Sequence, residues 1–242
     1  MSTPFRLTCL QLNSGNELDT NLAVVRSMMR EAAGNGAQFV LTPEYTLMMD
    51  GSGRVMRERA LGADGAPALA ELQSLAHELK AWLLAGSLTV RTDEERIANR
   101  SFLISAEGRI VATYDKIHMF DVTLPDGKVI RESSAFRPGD RAVVADTPWG
   151  RLGLTVCYDL RFPALFRKLA QAGAQFISVP SSFQRQTYGH TLIIDPWGEI
   201  LAEGGEAPEI VYAEIDPARV AKVRGMMPSL EHDRVFQPPR AG

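Results

Sequence analysis

The chain has 242 residues, of which 45% are apolar and 23% charged, and a net charge of −3. That length suits one large domain with a core that needs no disulfide staples, and the slightly acidic balance offers no basic field to nucleic acid or anionic lipid. No run approaches the roughly 20 apolar residues of a membrane span, Met1 to Leu10 lacks the order of a secretory signal, and two cysteines, Cys9 and Cys157, fit a reducing cytoplasm better than a disulfide framework.

Arg6 to Leu12 alternates as a half-buried strand. Asn16 to Asp19 offers capping residues for a helix with Leu22, Val25, Met28 and Met29 on one face, which Gly34 and Gly36 end. Phe39 to Leu41 is a buried strand that stops at Pro43, so the first unit is β-α-β with parallel pairing. Ala66 to Leu79 repeats the helical pattern, and Trp82 to Val90, Ser101 to Ser105 and Ile110 to Tyr114 are strands, the last two joined by a Glu107-Gly108 turn. Asp115 to Asp140 is polar and too long for a plain connector, which marks it as functional. Ala142 to Ala145 and Leu152 to Val156 are strands around Pro148-Trp149-Gly150, followed by a helix from Pro163 to Ala172 and a strand from Phe176 to Val179. Leu192 to Ile194, Glu199 to Ala202 and Ile210 to Ile215 are short strands. Asp216-Pro217 caps a last helix to about Gly225, before a polar, extended tail from Pro228 to Gly242. With no repeats and no internal linker, residues 1–242 read as a single α/β domain, with a core over about 6–216 and a helix and tail over 217–242.

Three chemically capable residues lie just past strand ends, the edge where ligands bind in open α/β sheets. Cys157 ends a strand and precedes a helix, so its thiol is held out of the sheet near a positive helix end, which favours thiolate; it also fits a buried core cysteine. Glu44 follows Phe39 to Pro43 and suits a general base if burial raises its pKa, though on spacing alone a helix cap or a solvated loop acid is the commoner fate. Lys116 follows the strand Ile110 to Tyr114 and suits an oxyanion stabiliser, or a surface lysine. A Cys–His reading would recruit His118 or His190 as base, though no spacing favours either. The four histidines show no metal-ligand pairing. Gly51-Ser52-Gly53 lacks the lysine and helix of a phosphate loop.

The local words Thr42-Pro43-Glu44, Tyr114-Asp115-Lys116-Ile117-His118-Met119-Phe120-Asp121 and Cys157-Tyr158-Asp159-Leu160-Arg161-Phe162-Pro163 resemble, in that order, the glutamate, lysine and cysteine motifs of the nitrilase superfamily of carbon–nitrogen hydrolases. Tyr188-Gly189-His190 and Asp195-Pro196-Trp197-Gly198 resemble its later hairpin segment, so the likeness runs from about Arg6 to Asp233. The resemblance implies a four-layer αββα sandwich, often paired as a homodimer, with no metal and no organic cofactor. It implies hydrolysis of a small carboxamide through a cysteine thioester, with Glu44 as base, Lys116 as oxyanion stabiliser, and Glu132 as a second glutamate that orients Lys116 or the substrate. The branch of omega-amidases and deaminated-glutathione amidases is the most similar, and nitrile cleavage is less expected. Tyr158 and Arg161 either contact a substrate carboxylate or are structural.

In one place the chain departs from this pattern. Only Ser181 to His190 lie between Pro180 and Thr191, whereas a parallel crossover with its helix needs about a dozen residues or more. One helix and one strand are therefore expected to be missing between Phe183 and Tyr188, which would bare a strand edge, remove a helix used in pairing and open a pocket wall. A catalytically silent member that binds a small amide or a partner is the competing reading.

Overall fold

The computed structural model describes residues 3–62, 66–92, 96–182 and 189–232. Strand β1 (Phe5–Gln11) is followed by helix α1 (Leu18–Gly34), β2 (Phe39–Leu41), α2 (Gly53–Glu58) and α3 (Ala66–Leu79). Then come β3 (Trp82–Arg91), β4 (Ile97–Ile104), β5 (Ile110–Asp115) and a small hairpin, β6 (Asp121–Thr123) with β7 (Val129–Arg131), which leads into a 3₁₀ turn, Glu132–Ser134. The second half holds β8 (Val143–Thr147), β9 (Gly150–Leu154), a 3₁₀ turn Cys157–Arg161, α4 (Pro163–Gln171) and β10 (Phe176–Ser178). It ends with β11 (Leu192–Ile194), β12 (Ile200–Glu203), β13 (Glu209–Ile215) and α5 (Pro217–Met226).

The strands form a six-stranded mixed sheet in the order β13-β1-β2-β3-β4-β5 and a three-stranded sheet in the order β10-β9-β8. β1, β2 and β3 run parallel, as the β-α-β pattern predicted, and β4 and β5 return antiparallel. Leu22, Val25, Met29 and Ala32 of α1 recur at helical spacing and pack with Leu69, Leu72 and Ala76 of α3 on Val40, Leu83, Ala85 and Phe102 of the large sheet. The opposite face of that sheet buries Phe5, Phe39, Leu84 and Leu103 against Ala145, Leu152 and Leu154 of the smaller one. Leu165 and Leu169 of α4 then pack with Val144 on the far face of the small sheet. The result is helix, sheet, sheet, helix. A fully buried leucine such as Leu83 or Leu154 contributes about 1.5–3 kcal/mol, so the sandwich is held chiefly by these interlayer contacts.

The two sheets are pinned by Trp149, whose ring stacks on Phe5 at 4.3 Å and on Phe39 at 5.8 Å. It occupies the turn between β8 and β9, which the sequence marked only as a connector. β4 starts at Ile97, four residues before the expected Ser101, because Ala98 and Asn99 are buried between β3 and β5 and neither shows an apolar alternation. The N-cap of α1 is Glu17, with no side-chain cap bond. The side chain of Asn21 instead ties Gly15 and Leu47 together. A short helix, α2, does follow Gly51-Ser52, contrary to the expectation there. Asp216 caps α5 by accepting from Ala218 N, as expected. Among the described residues β10 leads to β11 with no element between them, and the expected missing unit between Phe183 and Tyr188 lies outside the described residues, as does the tail beyond residue 232. Among the described residues no helix is long and apolar enough to cross a membrane.

β3 carries an irregularity between Ala85 and Leu88, and the chain after β2 packs into it. A Cβ on Gly86 would lie 1.9 Å from Thr42 O and 2.7 Å from the Pro180 Cβ. Gly86→Ala therefore forces apart the loops that carry Glu44 and follow β10. The variant should lose about 1–3 kcal/mol in denaturant unfolding, the usual cost of overpacking, and unchanged stability would contradict this close approach.

Candidate active site

Each arm of the site begins where a strand stops. Thr42 N bonds Leu84 O, Tyr45 N bonds the Ser87 hydroxyl and Thr46 N bonds Ser87 O, so the turn after β2 is fastened to the irregular part of β3. Tyr45 there has φ of 57°, a strained value for a non-glycine residue. The turn sends Glu44 inward, where its residue is 4% exposed. Lys116 directly follows β5, and its amide extends the β4–β5 ladder by donating to Asn99 O at 2.9 Å. Cys157 follows β9 with φ of 47° and donates its own N–H to Pro180 O at 2.9 Å, which fixes the elbow against the end of β10.

These arms meet. Lys116 Nζ lies 3.0 Å from Glu44 Oε1, and 3.0 and 2.9 Å from the two oxygens of Glu132. The Lys116 and Glu44 side chains are both 2% exposed, so this is a buried cation between two carboxylates. Glu132 is held in turn by Tyr45 Oη at 3.0 Å and by Phe120 N at 2.6 Å. Asn99 Nδ2 donates to Glu44 Oε1 at 2.8 Å and reaches Glu132 Oε1 at 3.4 Å, while Ser182 N donates to Glu44 Oε2 at 2.9 Å. The Cys157 thiol lies close enough to Glu44 and Lys116 for both charges to act on its ionisation. Glu44, Lys116, Cys157 and Glu132 thus gather as one cluster. Tyr45 and Asn99 were not singled out in the sequence; Tyr45's place beside Glu44 was the available signal, and Asn99 had none.

Burial sets the protonation behaviour. It raises the pKa of Glu44, against the lowering pull of Lys116. Burial alone would lower the Lys116 pKa, but the carboxylates of Glu44 and Glu132 outweigh it and keep the ammonium charged. The Cys157 thiol is pushed up to about 12, first by burial and then by the neighbouring Glu44 carboxylate. This corrects the expectation that a helix end favours a standing thiolate: desolvation wins over the dipole, so the sulfur needs a base to lose its proton.

The remaining candidates lie around this cluster. His118 is engaged by other groups: its Nδ1 is 2.7 Å from Asp159 Oδ1, and its ring stacks on Phe162 at 3.6 Å. His190 pairs with Glu203 on β12 at 3.2 Å. Asp159 is fully buried and also accepts from Tyr114 Oη at 2.6 Å and Val156 N at 2.9 Å, tying β5 to the cysteine elbow. Tyr158 is half-buried, edge-on to Phe120 at 5.1 Å and to Phe162 at 5.3 Å. Arg161 is exposed and has no ion pair among the described residues. Cys9 is half-buried in β1, and desolvation pushes its thiol up to about 12.

A strand-end cysteine, a buried carboxylate and a buried ammonium thus meet in an αββα sandwich. Comparison with known proteins gives the family. The sequence profile of the carbon-nitrogen hydrolase family matches residues 6–184 and 179–225. The deaminated glutathione amidase of Yersinia enterocolitica is 34% identical over 264 residues, covering 93% of this chain and 91% of its own. The human omega-amidase NIT2 is 30% identical, covering 96% of each chain. The structure of the Caenorhabditis elegans NitFhit protein superposes with a TM-score of 0.88 at 27% identity, over 97% of this chain and 66% of that longer one. This chain belongs to the carbon–nitrogen hydrolase family.

The electrostatic account is open to direct titration. Thiolate absorbance near 240 nm should be absent at neutral pH. In Glu44→Gln the thiol midpoint should fall by about one to three pH units, because the like charge that raises it is removed. A thiolate already present at pH 7, or a midpoint that rises in Glu44→Gln, would contradict it.

Proposed function

We propose that the chain hydrolyses the C–N bond of a small carboxamide, releasing ammonia through a thioester on Cys157. The observation that carries this is the buried cluster itself, with the Cys157 thiol within electrostatic reach of Glu44 and Glu44 held 3.0 Å from Lys116. The names of the amidase relatives support the substrate class.

The steps follow from charge and proton positions. Glu44 removes the Cys157 proton as the sulfur attacks the amide carbon, so no standing thiolate is needed. The oxyanion forms beside the Lys116 ammonium and the Tyr158 N–H; the Cys157 N–H is committed to Pro180 O. Protonated Glu44 gives its proton to the departing amine as the tetrahedral adduct collapses to a thioester. The same carboxylate then takes a proton from water, which attacks the thioester. Collapse returns the proton to sulfur and releases the acid. Glu132 holds Lys116 from the far side through both of its oxygens. Arg161, exposed next to the elbow, and Tyr158 suit a carboxylate at the other end of the substrate.

A second reading, a silent or impaired member that binds an amide or a partner, draws on one observation. The family match breaks into two stretches that overlap at 179–184, beside the place where a helix and a strand are expected to be missing. Ammonia release across glutamine-like, omega-amide and peptide-like amides separates the two readings.

Cys157→Ala should lower ammonia release by about 10³-fold or more while keeping the melting temperature within a few degrees. Arg161→Ala should raise KM about tenfold for carboxylate-bearing amides and leave KM for plain aliphatic amides unchanged. Full turnover in the cysteine variant removes the thioester route, and an equal KM change for both substrate types removes Arg161 from recognition.

A further inference from the structure

Asn99 sits on β4, in register with Thr89 of β3, and is 1% exposed. Its Nδ2 donates to Glu44 Oε1 at 2.8 Å and reaches Glu132 Oε1 at 3.4 Å, while its Oδ1 is buried with no hydrogen-bond partner among the described residues. The opposite rotation of the amide would press Oδ1 against two carboxylate oxygens. The side chain is therefore oriented by the carboxylates, and an unsatisfied buried carbonyl is tolerated to keep charge-assisted bonds.

The two oxygens of Glu44 are consequently unequal. Among the described residues Oε1 takes both Asn99 Nδ2 and Lys116 Nζ, whereas Oε2 takes the Ser182 N–H alone. An oxygen already accepting two donors is a poor place for a proton. We propose that Asn99 is a positioning residue that, with Lys116, keeps Glu44 Oε1 as an acceptor and so directs Oε2 to receive the Cys157 proton. This rests on the amide-hydrolase reading of the same residues.

The titratable groups facing Glu44 are Lys116 after β5, Glu132 on the turn after β7, Cys157 after β9 and Tyr45 beside it. The Asn99 bond favours the ionised carboxylate. Because the base must start ionised, loss of that bond moves the acid limb of activity to higher pH.

The test compares the wild-type chain with Asn99→Leu, Asn99→Asp and Thr89→Val. It reads the pH dependence of kcat and kcat/KM for ammonia release, and of Cys157 alkylation by iodoacetamide. Asn99→Leu should raise the acid limb of both by about one pH unit and lower kcat about 10- to 100-fold with KM nearly unchanged. Asn99→Asp, which replaces a donor by an acceptor at equal size, should raise the limb further. Thr89→Val, at the paired position on β3 whose hydroxyl is also buried without a partner among the described residues, should leave both limbs in place. Unmoved limbs in the Asn99 variants, or an equal shift in Thr89→Val, overturn the proposal. If the wild-type chain releases no ammonia from any amide, the hydrolase reading fails while the alkylation limbs still decide the role of Asn99.

Discussion

A single buried ammonium organises this molecule. Lys116 lies between the carboxylates of Glu44 and Glu132 in a space that solvent barely reaches. Each of those charges would be costly to bury alone, and together they compensate one another only while the geometry holds. The fold supplies that geometry from separate directions. Glu44 arrives on the turn after β2, Lys116 on the end of β5 and Glu132 on the turn after β7, and Cys157 closes the cluster from the small sheet. Registration of the large sheet, Trp149 wedged between the layers and the Gly86 approach all bear on where these chain ends fall.

The same arrangement explains why the sulfur is protected yet usable. Burial and a neighbouring carboxylate keep the thiol protonated, which guards it against casual oxidation and alkylation. The carboxylate that helps hold the thiol's pKa up is also the base of the proposed mechanism. The strained backbone at Tyr45 and Cys157 falls at and beside the two groups of this pair, where a rigid frame maintains it.

Much of the fold was legible because its elements carry strong periods: α1 and α3 by their apolar faces, β2 and β9 by short apolar runs ended by punctuating residues. Glu44, Lys116 and Cys157 stood out because each lies next to a strand end. Glu132 was visible only through the family resemblance, since a 3₁₀ turn after a three-residue strand has no period to read. Asn99 was hidden for a different reason. It lies inside a strand whose first residues do not alternate, and its importance comes from what β3 and β5 bring to either side of it. Trp149 was likewise masked by the turn residues around it. The expected thiolate failed because a local rule about helix ends ignored desolvation, which depends on the whole site.

The central claim is that Lys116 neutralises two carboxylates that burial would otherwise set against each other. Thermal or denaturant unfolding of the wild-type chain and Lys116→Met from about pH 5 to pH 8 tests it most directly. In the variant the carboxyls lose their cation, so their folded-state pKa values rise. Protonation then relieves the folded state at low pH, and stability is lost as pH rises through those values. The account predicts a destabilisation that grows with pH towards about 3–5 kcal/mol, the usual cost of leaving a buried charge unpaired. A stability difference that is flat across this range would contradict it.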